Sequence, residues 1–283
     1  MTLNLTIVNK WGIWQCSDHR LTNLVTGKLI DDFSIKHVFF RCPDGAALLA
    51  YAGAGRIGSV DLSDWIRETL RGPRRTVGQS IELIRENASR DVAPLLRKLR
   101  LCHMFTIGAF VAGRPWAVQI KNYRSEDFFS RITLDRFETH GREITESGLG
   151  FIFGDPRAIT RPDIDGLVTI SGRKPRSPKD FSNLLVSLNR RIAATPAGRV
   201  TISPSCVTSY IPPGGLPIDS KFHDSSSAPS PRVVPMVVMG VDVTEIMRTM
   251  MSHTGPSSAS FQQEQEQAMR RAAVPRNRLG PHR

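Results

Sequence analysis

A threonine directly behind the initiator Met1 is small enough to let that methionine be trimmed. A mature Thr2 would then carry two functional groups on one residue, a hydroxyl nucleophile and a free α-amine. That is a compact form of the nucleophile-plus-base pairing otherwise assembled from serine and histidine. An α-amine titrates near ~8 in model peptides, close to what a general base needs at neutral pH. Asp18 follows sixteen residues on, with Arg20 two further and Lys36 beyond. Taken singly, these charges also suit a solvated ion pair worth ~0–1 kcal/mol and a strand-end lysine. What decides between the readings is the set of elements that would bring them to Thr2.

Those elements are legible. Leu3, Leu5, Ile7 and Val8, then Ile13 and Trp14, flank Asn9-Lys10-Trp11-Gly12, and alternation around a Gly-containing turn reads as a β-hairpin. A hairpin of that length returns the chain to its start and sets Asp18 near Thr2. Asp31 to Phe40 leads into a strand carrying Lys36, and Ala46 to Ala52 is an apolar strand ending in Gly53-Ala54-Gly55. Asp61 to Arg71 reads as a helix. Thr76 to Arg100 reads as a second, longer helix broken near Pro94. His103 to Val111 and Pro115 to Lys121 form a hairpin, Ser130 to Phe137 and Phe151 to Gly154 are strands, and Pro178 to Ala193 is a helix with apolar residues at helical spacing.

With Thr2, Gly12, Asp18 and Arg20, Lys36, and Ala52-Gly53 in this order, the chain resembles the proteasome β-subunit family and its bacterial relatives among the N-terminal-nucleophile (Ntn) hydrolases. The resemblance is good over residues 2–110, weak to about 215 and absent beyond. It implies an α+β fold, a four-layer αββα sandwich of two antiparallel sheets covered by helices. It also implies roles. Thr2 attacks a carbonyl carbon while its α-amine takes and returns the proton. Lys36 places positive charge beside the hydroxyl, Asp18 holds Lys36, and Arg20 completes the buried network. The backbone N–H of Gly53 donates to the oxyanion, a contact whose loss typically costs ~100–1000-fold in rate. Tyr51 falls where the family lines its main specificity pocket. A serine in a Ser-Gly turn is matched by Ser147-Gly148. In a second, Asp-x-x-Ser-Gly-Gly segment Ser203 stands for the serine, but Val200 holds the aspartate position and Pro204 and Ser205 replace the glycines.

The rest of the chain bounds this reading. At 283 residues, 40% hydrophobic, it can bury one core over residues 1–214, followed by a Pro-, Gly- and Ser-rich linker with an extra strand and a short helix over 215–251 and a disordered tail over 252–283. No apolar run is long enough to span a membrane, and the start lacks the basic-then-apolar pattern of a signal peptide, so a cytoplasmic location is expected. Cys16, Cys42, Cys102 and Cys206 are scattered on predicted strands with no close pair in sequence, which reads as buried free thiols, with no metal and no cofactor. Gly53-Ala54-Gly55-Arg56-Ile57-Gly58 matches G-x-G-x-x-G, but no strand ending in an acidic residue follows as a dinucleotide site requires. A net charge of +12 attracts nucleic acid non-specifically, yet the basic clusters Arg71 to Arg75 and Arg97 to Arg100 lack interleaved aromatics, so nucleic acid is not the expected partner. Two functions remain. One is a threonine hydrolase cleaving peptide or other amide bonds, assembled as a homo-oligomer, with a ring as one form and any unfoldase partner undetermined. The other is an αββα binding or assembly protein without catalysis.

Overall fold

A computed structural model describes residues 3–23, 26, 28–125, 131–145, 147–224 and 232–252. The first hairpin forms as expected: β1 (Asn4–Asn9) and β2 (Gly12–Asp18) pair antiparallel, Asn4 opposite Ser17 and Asn9 opposite Gly12. The Asn9 side chain tightens the turn by accepting from the Trp11 N–H at 2.9 Å. A short ribbon of β3 (Leu21–Thr22) and β4 (Leu29–Asp31) follows, then β5 (His37–Cys42), β6 (Gly45–Ala52) and a second ribbon of β7 (Arg56–Ile57) and β8 (Val60–Asp61). Next come α1 (Leu62–Leu70), α2 (Val77–Asp91) and α3 (Ala93–Leu99). Thr76 caps α2 reciprocally with Gln79, and Pro94 sits in the first turn of α3, where its missing N–H costs nothing. The chain continues through β9 (Met104–Val111), β10 (Arg114–Arg124), β11 (Ile132–Glu143) and β12 (Leu149–Phe153), then α4 (Arg161–Ser171), α5 (Pro178–Ala193) and α6 (Pro196–Thr201). β13 (Cys206–Ile211), β14 (Asp219–His223), β15 (Met236–Val238), β16 (Val241–Asp242) and α7 (Thr244–Ser252) complete it.

The fold is mixed α+β, with seven helices among the described residues. A five-stranded sheet runs β12-β1-β2-β13-β14 and a seven-stranded sheet runs β11-β10-β9-β6-β5-β15-β16. Both are antiparallel except where β15 pairs parallel with β5, Val237 opposite Phe40. Three apolar clusters carry most of the burial. In one, α1, α2 and α3 bury Leu62, Ile66, Ile84 and Leu96 against Leu49 and Phe105. In another, α4 and α5 bury Leu167, Phe181 and Leu185 against Leu5, Ile7 and Trp14. The third joins the sheets directly, with Val8, Ile13 and Ile211 meeting Phe39, Leu48 and Phe110. Alternation along β1 and β2 divides their side chains between the last two clusters, as period-2 strands require.

Three of the four cysteines are buried free thiols as expected, and Cys102 is free but half-buried. Cys16 and Cys206 lie diagonally across β2 and β13 on one face of the five-stranded sheet, and Cys102 precedes β9 rather than lying on a strand. All four thiols are free, and burial pushes that of Cys16 well up, which leaves it unreactive. No helix among the described residues is long and apolar enough to cross a membrane. The tail expected from residue 252 lies, past Ser252, outside the described residues, as does Thr2.

Candidate active site

Asp18 and Lys36 meet with no exposed surface on either, Lys36 Nζ donating to Asp18 Oδ1 at 3.3 Å. Asp18 stands at the end of β2, opposite the start of β1, and its other oxygen accepts from the Leu3 N–H at 2.6 Å. Two further backbone donors reach Oδ1, from Arg20 at 2.8 Å and Ser203 at 3.3 Å. Lys36 makes its shortest contact, 2.6 Å, with the Arg20 carbonyl. Burial lowers the Lys36 pKa from its ordinary value, and the adjacent Asp18 carboxylate pulls it back up. The result is a buried ion pair whose carboxylate holds Leu3, the residue that follows Thr2, and is itself saturated with donors.

Arg20 takes part through its backbone alone. Its guanidinium turns outward, forked onto Asp32 at 3.1 and 3.2 Å and donating to the Arg199 carbonyl at 2.6 Å. The expectation that its side chain completes the buried network is therefore corrected: Asp32, twelve residues on, offers a bidentate partner nearer water. Ser203 is buried against Asp18. Its carbonyl accepts from Asn189 Nδ2 at 3.0 Å and its hydroxyl from the Ser205 N–H at 3.3 Å. Val200 lies on α6 and is 60% exposed, so nothing at that position faces the pair.

Ser147 is not brought to this place. It is exposed in the bend before β12, and Leu149 pairs with Val8, at the far end of β1 from Leu3. The span from Leu3 to Val8 is five residues of strand, roughly 17 Å. The end of β12 that does reach the site carries Phe153, opposite Asn4, and then Gly154 and Asp155. Asp155 is fully buried. It is forked by Arg157 at 2.7 and 3.0 Å and accepts from Thr201 Oγ1 at 3.3 Å, so it ties the β12 end to the segment that delivers Ser203. Asp155 is the site-supporting residue that sequence reasoning missed. Its only signal was a Gly-Asp-Pro turn closing an apolar strand.

Gly53 ends β6 with φ +120, and a Cβ there would come within 2.7 Å of His103 Nδ1 and 2.8 Å of the Cys102 carbonyl. Only glycine suits that backbone. The next residue, Ala54, donates its N–H to His103 Nδ1 at 3.1 Å, which holds the turn against β9. Tyr51 is buried, and its N–H donates to the Lys36 carbonyl at 3.3 Å. Burial raises its phenol well above the usual range. A cleft of ≈ 390 Å³ opens beside it, bounded by Ser34, Ile35, Asp64, Arg67 and Glu245. Among the described residues no cluster of three or more His, Cys, Asp or Glu side chains is placed to hold a metal ion.

The chain beyond residue 215 braces this end of the molecule. Arg232 pairs with Asp224 at 2.6 Å, donates to the Phe33 carbonyl at 3.0 Å and lies 4.5 Å from the centroid of the Phe222 ring. It also donates toward the ring of His19, the neighbour of Asp18, at 3.0–3.1 Å. Replacing Arg232 by alanine is expected to cost about 1–3 kcal/mol, read as a lower urea midpoint at unchanged slope.

No protein-family model matches the chain, and no curated protein matches it either. Solved structures do. The helical assembly of the Anbu complex from Pseudomonas aeruginosa aligns over 92% of this chain and 99% of its own at 11% identity, TM-score 0.55. Anbu (ancestral β-subunit) from Yersinia bercovieri aligns over 79% and 88% at 12% identity, TM-score 0.53. A mutant Anbu from Hyphomicrobium sp. strain MC1 aligns over 80% and 88% at 15% identity, TM-score 0.52. At such identities the likeness is one of fold. It corrects the resemblance drawn from the sequence: the neighbours are Anbu proteins, not members of the proteasome β-subunit family proper.

Proposed function

We propose that the chain is an N-terminal-threonine hydrolase of amide bonds, built as a four-layer αββα sandwich. The observation that carries this reading is the buried Asp18–Lys36 pair held against Leu3. A buried ion pair is a poor source of stability, because desolvation offsets most of its attraction, so this one calls for another role. Beside a mature Thr2 it has one. The Lys36 ammonium favours the alkoxide of the threonine hydroxyl and keeps the adjacent α-amine neutral. Asp18, fixed by three backbone N–H groups, keeps that ammonium in place. Thr2 Oγ attacks the carbonyl carbon, its own α-amine takes the proton and returns it to the leaving amine, and the Gly53 N–H stabilises the oxyanion. Water then hydrolyses the ester. Ser203 acts by fixing Asp18, and the cleft beside Tyr51 takes a substrate side chain.

The three apolar clusters support the layer order helix, sheet, sheet, helix. A homo-oligomer in the cytoplasm is part of the proposal. For assembly the support is the helical assembly described for the Pseudomonas aeruginosa protein.

The deciding experiment is intact-mass spectrometry before and after treatment with a peptide epoxyketone, which needs both the hydroxyl and the amine of an N-terminal threonine. Loss of Met1 and a single adduct, both dependent on Thr2, is the expected result, with amidase activity abolished in Thr2→Ala. Retained Met1 would overturn the mechanism and leave an αββα binding or assembly protein, and full activity in Thr2→Ala would overturn it by placing the nucleophile on another residue.

A further inference from the structure

The layer between the two sheets is apolar at one end and polar at the other. Toward the β1–β2 turn it holds Val8, Ile13, Phe39 and Phe110. Toward Asp18 it holds Asn4, Gln15, Ser17, His37, Thr106 and Ser209, none more than 2% exposed. Strand register makes these one cluster. Asn4 stands opposite Ser17, and Ser209 opposite Gln15, on the inner face of the five-stranded sheet. Across from them, His37, Ala50 and Thr106 form one row on β5, β6 and β9. Two hydrogen bonds cross the layer: Gln15 Nε2 donates to the Thr106 carbonyl at 3.0 Å, and His37 Nδ1 meets Ser209 Oγ at 3.0 Å.

Those bonds leave much unsatisfied. Asn4 Nδ2, Gln15 Oε1, Ser17 Oγ, His37 Nε2 and Thr106 Oγ1 are buried with no partner among the described residues. Leaving one such group unpaired costs roughly 1–3 kcal/mol, and native proteins leave few, so five in a single layer demand a ligand. Its chemistry follows from theirs. The set mixes donors, acceptors and groups able to act as either, and carries no charge, which excludes an ion and suits a small neutral molecule that both donates and accepts. Ala50, between His37 and Thr106, presents only a methyl group where its row neighbours are polar.

We infer that the polar half of the inter-sheet layer binds internal water, in a cluster bridging Gln15, Thr106 and His37 and extending to Ser17 and Asn4. About two molecules, each making roughly three hydrogen bonds, satisfy all five groups. The cluster lies one residue behind Asp18, at Ser17, and one residue past Lys36, at His37. Water there also accounts for a neutral His37 surviving without a second protein partner.

A crystal structure of the full chain at a resolution that orders solvent tests this directly. Water within hydrogen-bond distance of Gln15 Oε1, Thr106 Oγ1 and His37 Nε2 is the expected result, and a dry layer overturns the proposal. Thermal unfolding of Thr106→Val, with Ser17→Ala as a smaller second change, gives an independent reading. Removing a group bonded to water lowers the midpoint, by about 2–6 °C, whereas removing a dry, unpaired hydroxyl raises it. A raised midpoint in both variants overturns the proposal as firmly as a dry layer does.

Discussion

Replacing Lys36 by methionine is expected to reduce amidase activity by about 10²–10⁴-fold while leaving Met1 removal unaffected. The substitution keeps the aliphatic stem and deletes the charge, and Lys36 is fully buried, so no solvent cation takes its place. It also strips Asp18 of its side-chain cation, while three backbone N–H groups still bond the carboxylate. Breaking a buried pair from one side typically costs about 3–5 kcal/mol. The double variant Asp18→Asn/Lys36→Met separates the two consequences. Its stability loss is expected to fall short of the summed single losses by about 1–3 kcal/mol, because no charge is left stranded, and its activity to remain as low as that of Lys36→Met. Activity that recovers together with stability would make the pair a structural element only. Urea unfolding and initial rates on one peptide amide substrate supply both measurements.

Asp18 is legible because local rules place it: a turn at Asn9–Gly12 fixes the hairpin register, and the register fixes which residue returns to the chain start. Lys36 and Gly53 lie outside that hairpin, and only the order and spacing shared with a known family single them out. Ser147 was misplaced for a reason of the same kind. Its Ser-Gly turn is a local match, but whether it reaches the site depends on the β1–β12 register, a pairing between segments some 140 residues apart. Shifted along β12, the same approach leads to Asp155, which has no motif of its own.

Helix α4 went unread because Gly166 and the β-branched Val168, Thr169 and Ile170 mask its period, although Thr160 and Asp163 cap its start. The parallel pairing of β15 with β5 leaves no trace in local pattern, since nothing in Met236–Val238 encodes its distant partner. The Arg20 side chain illustrates a last limit. Its distance in sequence from Asp18 is right for a pair, but the choice between Asp18 and Asp32 is made by desolvation, which spacing does not report.

The steepest response is expected on acidification. His19, His37 and His103 are all buried, and burial lowers their pKa values from 6.5 to about 4, about 3 and about 3. For His19, the Arg232 guanidinium and the Lys36 ammonium lower it further while Asp18 opposes them. For His37, nearby His19 and Lys36 act in the same direction as burial. The hydrogen bonds fit neutral rings. His103 Nδ1 accepts from Ala54 and cannot also carry a proton, and His19 Nδ1 meets the Ser34 carbonyl while the Arg232 guanidinium lies over both ring nitrogens. Since the folded values are depressed, the unfolded chain binds the extra protons between pH 6.5 and the folded values. Stability is therefore full above about 6.5 and is lost as pH falls toward 4 and then 3. Each histidine contributes a slope of about 1.4 kcal/mol per pH unit, so three acting together remove roughly 4 per unit below pH 6. From pH 6.5 to about 4 that amounts to roughly 10 kcal/mol, so a domain in the lower half of the ordinary 5–15 kcal/mol range unfolds before any of the three rings is protonated in the native state. Urea unfolding between pH 7 and 5 should show that slope, and His103→Gln, whose amide oxygen can accept from Ala54, should reduce it by about one third. A slope that is flat over this range, or unchanged in His103→Gln, would mean that these rings take up their protons without leaving the fold.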